Sequence, residues 1–273
     1  MTIKFRKSLF CIIILALFHN LGWAQSSPCG TIVNNAQKTF ESTFIDTIST
    51  LIELNRTINI SIHVTKSSGG TTDVDLAVVN QAINEAGLAF DPIKVKFRIA
   101  SFDTIDNYQL DFIKQGNNEK DIVKRYYKQQ TINLYLVSQL TNSSNQNICG
   151  FTYFPSVKED VVIIRKNCLT GAFLIEQLGH FFNLYHTHET IFGVELTNKS
   201  NCATAGDLCC DTEADPNLSG KVSATCELIN LPGYTPSSHN YMSFSQLSCK
   251  CFFSKEQYIR MINTLVNYKN YLF

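Results

Sequence analysis

Apolar and polar residues alternate from Ile58 to Val64, which is the period of a half-buried β-strand. Gly69 and Gly70 end this strand. Beyond Asp73, whose side-chain oxygen suits a helix N-cap, apolar residues recur at helical spacing as far as Gly87. They are Val74, Ala77, Val78, Ala82, Ile83 and Ala86. The pattern therefore predicts a strand followed by a helix that begins after Asp73.

Three short β-rich runs follow at 93–100, 132–137 and 161–164, and a second helical pattern covers 169–184. Strands that enclose a helix in this order are typical of a mixed sheet with a helix packed on it. The sequence therefore predicts an α+β fold with a backing helix.

The C-terminal half has a different character, because residues 190–251 are rich in Cys, Asp and Gly and show no periodicity. Disulfides or ions must replace a hydrophobic core there. A final helix starts at Ser254, since Gln257 completes a capping box and Phe253 with Tyr258 forms a hydrophobic staple. Its predicted buried stripe is Ile259, Ile262, Leu265 and Val266.

Composition excludes a disordered or fibrous protein, because 44% of the 273 residues are hydrophobic and 17% are charged. Residues 1–24 have the basic start, ten-residue apolar run and small-x-small ending of a signal peptide. An apolar run of this length is too short to span a bilayer. We therefore expect a secreted, extracellular or periplasmic protein with a leading segment at 25–55 and one domain at 56–273.

Charge and cysteine content restrict the partners and the compartment. Removal of 1–24 takes away Lys4, Arg6 and Lys7 but no acidic residue, and leaves a net charge of −3. With no basic cluster left, we expect no nucleic-acid binding. Nine cysteines remain, so an exported chain should hold disulfides and at least one thiol outside them.

The chemistry is concentrated in residues 173–189, which read FLIEQLGHFFNLYHTHE. Zinc proteases with the pattern H-E-x-x-H-x-x-G-x-x-H place two ligands four residues apart on one helix face and a third after a turn. Aligned to that pattern without a gap, His180 and His186 match the second and third histidines. Glu176, Gln177 and Asn183 then stand where the first His, the general-base Glu and the Gly belong.

Further blocks extend this match. Residues 60–64 (ISIHV), 149–155 (CGFTYFP), 206–212 (GDLCCDT) and 240–243 (NYMS) follow one another as similar blocks do in one protease family. The chain thus resembles the pappalysin and cytophagalysin metzincins over about residues 55–265. The resemblance implies a metzincin-like (zincin) fold with a twisted mixed sheet, an active-site helix and a disulfide-braced C-terminal half. It also implies a zinc ion and a Met-turn at Met242.

Each departure from the motif has a physical consequence. Asn183 is mild, because Asn tolerates a left-handed backbone. Glu176 remains able to bind a divalent metal with His180 and His186. Gln177 is severe, because an amide cannot take or give the proton that the family's Glu transfers. Phe244 stands where the family commonly has a Tyr, so the hydroxyl that steadies the tetrahedral intermediate is missing.

Three functions follow from these departures. The first is a secreted pseudoprotease that binds a protein or peptide in the old substrate cleft. The second is an active zinc metalloendopeptidase with the metal set Glu176, His180 and His186, in which His188 or Glu189 serves as base. The third is a structural extracellular domain without metal. We favour the first, and the sequence leaves enzymatic activity undecided.

Two other features have open alternatives. Cys29 resembles the latch of a pro-segment, whose thiolate caps the zinc, but it is equally a candidate disulfide partner. Cys209 competes with it as the odd thiol. The resemblance also implies a structural calcium, for which the candidate ligands are Asp207, Asp211, Glu213 and Asp215. A solvated acidic loop explains the same four residues.

Overall fold

The computed structural model describes residues 29–273, so the predicted signal peptide at 1–24 lies outside the described residues. The strands of this part of the chain are β1 (Arg56–Thr65), β2 (Val95–Ile105), β3 (Phe112–Lys114), β4 (Ile132–Val137), β5 (Gln139–Thr141), β6 (Gly150–Thr152) and β7 (Val161–Arg165). The helices are α1 (Asn35–Glu41), α2 (Leu76–Ala89), α3 (Glu119–Tyr126), α4 (Gly171–Phe181) and α5 (Lys255–Asn267).

The main sheet has the strand order β2-β1-β4-β7-β6. Its strands pair in parallel except for β6, which runs antiparallel to β7. The predicted mixed sheet is therefore confirmed. Strands β3 and β5 form a separate parallel pair.

Helices cover both faces of the sheet, and alternate strand residues go to alternate cores. Leu134 and Leu136 of β4 join the core that contains α2, α4 and α5. Tyr135 and Val137 point the other way, into a smaller core with Ile122 of α3. This two-sided burial explains why β4 and β7 are largely apolar, and why the polar residues Ser61 and His63 of the alternating strand β1 are buried as well.

The predicted start of the first long helix is wrong by two residues. Its N-cap is Asp75, whose Oδ1 accepts a hydrogen bond from the backbone N–H of Ala77 at 2.8 Å. Asp73 lies before it in the left-handed region with φ 52°, and Val78, predicted to be buried, is 42% exposed. Both aspartates can cap a helix, and tertiary packing selected the second. Helices α1 and α3 were not predicted, because both are short and mostly polar.

Helix α4 positions the site. Thr170 caps its N-terminus by accepting a hydrogen bond from the backbone N–H of Phe173. At its C-terminus Asn183 adopts φ 72°, and Leu184 N–H donates to the Gly179 carbonyl at 2.9 Å. This is a Schellman ending that normally uses Gly. The turn after the helix thus forms with Asn in place of Gly.

The irregular region after α4 is braced as predicted. Disulfides among the described residues join Cys149 to Cys168, Cys202 to Cys210 and Cys226 to Cys249. Helix α5 carries the predicted capping box of Ser254 and Gln257. Its stripe is buried at Ile262 and Leu265, whereas Ile259 and Val266 remain partly exposed. Within residues 29–273, no helix is long and apolar enough to cross a membrane.

Candidate metal centre

Four potential metal-binding side chains meet at the end of α4. Glu176 and His180 lie one helical turn apart on the same face, and the turn at Asn183 brings His186 beside them. Cys29 of the leading segment is the fourth member. One potential ligand atom of each residue lies within 4.8 Å of all the others. The structure thus places Glu176, His180 and His186, which the sequence spacing had grouped, next to one another.

The two histidines are held with their Nε2 atoms towards each other. His180 Nδ1 lies 2.8 Å from the carbonyl of Leu184, and His186 Nδ1 lies 3.1 Å from the carbonyl of Met242. A carbonyl only accepts, so we assign the proton of each neutral ring to Nδ1. Both Nε2 lone pairs are then free, and these atoms are 3.1 Å apart.

Burial also keeps both imidazoles neutral. It lowers the pKa of His180 to about 3. It likewise lowers the pKa of His186 well below its usual range, with a further contribution from His180. Neutral imidazoles with two converging lone pairs are the form in which histidine binds a metal.

Glu176 has a partner that the sequence did not suggest. Lys250, in the loop before α5, donates a hydrogen bond to Glu176 Oε2, and both side chains are 1% exposed. The net charge of this pair is zero, as for the neutral histidine of the motif. Burial raises the pKa of Glu176, and the Lys250 ammonium opposes that rise. Oε1 is buried and accepts no hydrogen bond from the described residues.

Cys29 approaches the cluster from the leading segment. Its Sγ lies 3.6 Å from His180 Nε2 and is a free thiol. Burial, followed by the charge of Glu176, raises the pKa of this thiol to about 12. A thiolate at this position therefore requires a cation beside it. Cys209 is also free and buried, so both candidates for the odd thiol are unpaired.

The donor set fits a zinc-type cation. Thiolate, imidazole and carboxylate are the three ligand classes of zinc, and four side chains from these classes converge here. A cation would provide a partner for the unpartnered Oε1 of Glu176 and for the two facing Nε2 lone pairs. Lys250 occupies only the other oxygen of Glu176, so it leaves one carboxylate oxygen available.

Gln177 and Phe244 stand at the positions where the motif has a proton-transferring Glu and an oxyanion-stabilising Tyr, and neither side chain can perform that role. Gln177 is fully buried, and its amide binds two residues of the leading segment, Cys29 and Thr31. Phe244 presents a ring 4.4 Å from the ring of His186 and has no donor. Met242 is buried below the helix, where a Cβ on Gly179 would come within 2.6 Å of its Sδ.

The two alternative bases differ in their surroundings. His188 packs against Phe244 with ring centroids 4.2 Å apart and the rings tilted by 56°, and burial lowers the pKa of His188 to about 4. Glu189 is tied to its own turn, because its Oε1 accepts hydrogen bonds from the backbone N–H groups of Thr190 and Ile191. Only His188 therefore remains beside the cluster with an unpartnered ring nitrogen, Nδ1.

The four predicted calcium ligands do not act as one group. Asp211 caps α5 through Ser254, and Glu213 forms an ion pair with Lys199. Asp207 accepts hydrogen bonds from Thr212 and from the backbone of Cys209. The predicted calcium site is therefore wrong in including Asp207, Asp211 and Glu213. Their carboxylate oxygens are engaged by hydrogen bonds and an ion pair within the loop and with α5.

Asp215 instead lines a cavity of about 300 Å³ together with Glu195. Glu195 is 6% exposed, and neither of its carboxylate oxygens has a hydrogen-bond partner among the described residues. Oδ1 of Asp215 is also unpartnered. Glu195 was not identified from the sequence as a candidate calcium ligand. Its place in the sequence shortly before the other acidic residues of this loop was the signal that could have indicated it.

Comparison with known proteins places the chain among metalloproteases. Residues 116–266, more than half of the chain, match the peptidase family model described as pregnancy-associated plasma protein-A. An extracellular metalloprotease of Arthroderma gypseum is 27% identical over 283 residues, covering 94% of this chain and 89% of that protein. Another, from Pyricularia oryzae, is 26% identical over 233 residues and covers 78% of this chain and 76% of its own.

Solved structures show the fold. Mature mirolysin of Tannerella forsythia, in complex with a cleaved peptide, has a TM-score of 0.54 at 15% sequence identity. The match covers 82% of this chain and 96% of mirolysin. The metzincin-like α+β fold expected from the motifs is therefore confirmed.

Proposed function

The chain belongs to the pregnancy-associated plasma protein-A family of metallopeptidases, and from this premise we propose that it is a catalytically impaired member that holds a peptide in its cleft. The names of its relatives, which are extracellular metalloproteases, support secretion. The proposal combines a retained metal-binding cluster with the loss of the groups that move protons.

Gln177 is the observation that carries the proposal. Its amide group has no accessible pKa for proton transfer, and both of its functional atoms are engaged: Nε2 lies 3.2 Å from Cys29 Sγ and Oε1 3.0 Å from Thr31 Oγ1. Loss of general acid–base catalysis typically lowers a rate by about 10² to 10⁴-fold. The missing hydroxyl at Phe244 acts in the same direction.

Cys29, Glu176, His180 and His186 are the residues that would hold zinc. When bound, zinc polarises a carbonyl and lowers the pKa of bound water. Of the chain's own groups, the carbonyls of Leu184 and Met242 orient the two imidazoles. Cys29 lies beside His180 and blocks the approach of a further ligand from that side. This arrangement favours tight binding of the metal over catalytic turnover of a substrate.

An active endopeptidase is the second candidate, and one observation favours it. The free Oε1 of Glu176 makes a set of two histidines and one carboxylate complete without Cys29. His188 would then have to act as base. Its pKa of about 4 makes it a weak base at neutral pH.

A peptide-library cleavage assay separates the two candidates. Wild-type protein and the Cys29→Ala variant, each loaded with zinc, are measured with and without chelator. We expect no cleavage from either. The positive control carries Cys29→Ala with Glu176→His, Gln177→Glu, Lys250→Met and Phe244→Tyr, in which Lys250 is replaced because a histidine would leave its ammonium unpaired.

The outcomes are distinct. Cleavage by the control alone supports a silent active site. Chelator-sensitive cleavage by the Cys29→Ala protein, with Gln177 still present, overturns the proposal and favours the Glu/His/His endopeptidase. Absence of cleavage from every protein would assign the defect to the cleft itself, either to its shape or to its occupation by the leading segment, rather than to these groups.

We also propose that the cavity at Glu195 and Asp215 holds a calcium ion. Calcium binds hard carboxylate oxygens, and three such oxygens are unpartnered there. Calorimetric titration with calcium tests this site. No binding by the wild type, or equal binding by Glu195→Gln, would refute it.

A further inference from the structure

The leading segment lies along the edge of the main sheet. Among residues 29–273, β6 is the last strand of the sheet, so no other strand from this part of the chain pairs with its outer side. Gly30 N–H donates to the Gly150 carbonyl at 2.8 Å, and Thr152 N–H donates to Thr31 Oγ1 at 3.1 Å. The segment therefore occupies the backbone groups through which a sheet edge binds an extended peptide.

Gln177 fits this segment better than a glutamate would. Its Nε2 donates to Cys29 Sγ at 3.2 Å, and its Oε1 accepts from Thr31 Oγ1 at 3.0 Å. Both contacts need the donor and the acceptor of a primary amide, whereas a carboxylate only accepts. The residue that removes the general base thus binds the leading segment at two points.

Asn183 makes a second such contact. Gln37 of α1 is 1% exposed, and its Nε2 donates to Asn183 Oδ1 at 2.6 Å and lies 2.8 Å from the hydroxyl of Tyr185. A glycine, which the motif has at 183, offers no side-chain acceptor. The second departure from the motif therefore also holds the leading segment.

Glu41 strengthens this end of the segment. It forms an ion pair with Arg260 of α5, in which the two side chains are 13% and 10% exposed. The hydroxyl of Tyr185 also donates to Glu41 at 2.8 Å. Arg260 Nε donates to the carbonyl of Asn183 at 2.6 Å. These contacts connect α1 to the turn of the site without any metal.

We infer that residues 29–41 are the permanent resident ligand of this cleft, held there by Gln177 and Asn183 rather than only by the thiol of Cys29. The inference rests on the proposed function and specifies which peptide the silent cleft holds. A segment held only by its thiol would leave when the cation is removed. Here the hydrogen bonds of Gln37, Thr31 and Glu41 do not depend on a cation.

The test cuts the chain behind the segment without deleting it. A recognition sequence for a site-specific protease is inserted between the exposed residues Ser42 and Thr43, so that the contacts of residues 44–48 with α5 do not hold the fragment. Cys29 is a free thiol, so it does not tether the cut fragment by a disulfide. After cleavage, native mass spectrometry and gel filtration measure how fast the fragment leaves.

We expect the wild-type fragment to stay bound in chelator, and the Cys29→Ser fragment to do the same. Asn183→Gly and Gln177→Glu should each release it about tenfold faster, which corresponds to about 1.4 kcal/mol. Asn183→Gly keeps the left-handed turn, since glycine adopts φ 72° freely. Gln37→Ala gives the same test from within the segment, and Thr39→Ala is its matched control, because that exposed hydroxyl donates within α1 to the carbonyl of Asn35.

Release of the wild-type fragment as soon as the chain is cut would overturn the inference. So would release by chelator or Cys29→Ser combined with no effect of Asn183→Gly, Gln177→Glu and Gln37→Ala. The proposed function fails on a different readout. Peptide cleavage by a variant that has lost its fragment contradicts the silent site only, and fragment loss from the wild type without cleavage contradicts this inference only.

Discussion

The ion pair between Lys250 and Glu176 gives the sharpest stability prediction. Both side chains are 1% exposed, and Oε1 of Glu176 has no hydrogen-bond partner among the described residues. Lys250→Met keeps most of the side-chain volume but leaves a carboxylate buried without its counter-charge. Breaking a buried pair from one side costs about 3–5 kcal/mol. For a domain of this size that corresponds to a fall of about 6–20 °C in the unfolding midpoint.

Urea and thermal unfolding in chelator, followed by circular dichroism, measure this cost. The double variant Glu176→Leu with Lys250→Met removes both charges and should recover most of the loss, since apolar replacement of a buried pair is often neutral or stabilising. Lys66→Met is the matched control, because its pair with Asp106 is exposed and should change stability by less than about 1 kcal/mol. A Lys250→Met protein within about 1 kcal/mol of wild type would refute the reasoning.

Three further predictions concern the metal sites and a buried histidine. Zinc at 100 times its dissociation constant should stabilise the wild type by about 2.7 kcal/mol in urea unfolding, and His186→Ala should lose this gain. Calcium should raise the unfolding midpoint of wild type but not of Glu195→Gln, and an equal rise in both would contradict the site. Burial lowers the pKa of His63 below its usual value. Its contribution to stability is thus present above the unfolded pKa and is lost as pH falls below about 6.5, by up to about 1.4 kcal/mol per unit. The stability advantage of wild type over His63→Gln should therefore shrink between pH 7 and pH 5, and a constant difference would contradict this sign.

The sequence by itself determined the features that short-range patterns encode. The alternation of β1, the capping box at Ser254 and the spacing of His180 and His186 each depend on residues close together in the sequence. Such patterns specify local backbone conformation and the face that a side chain occupies. The same patterns carried the family resemblance, which the comparisons confirm.

Tertiary structure alone decided what surrounds the motif. Lys250 lies 74 residues from Glu176, and Gln37 lies 146 residues from Asn183. No periodicity links such positions, because their contact depends on how distant elements pack and which buried polar groups then need partners. The sequence could identify the departures from the protease motif. Only the fold shows that the Lys250 ammonium neutralises Glu176 and that the leading segment hydrogen-bonds to Gln177 and Asn183.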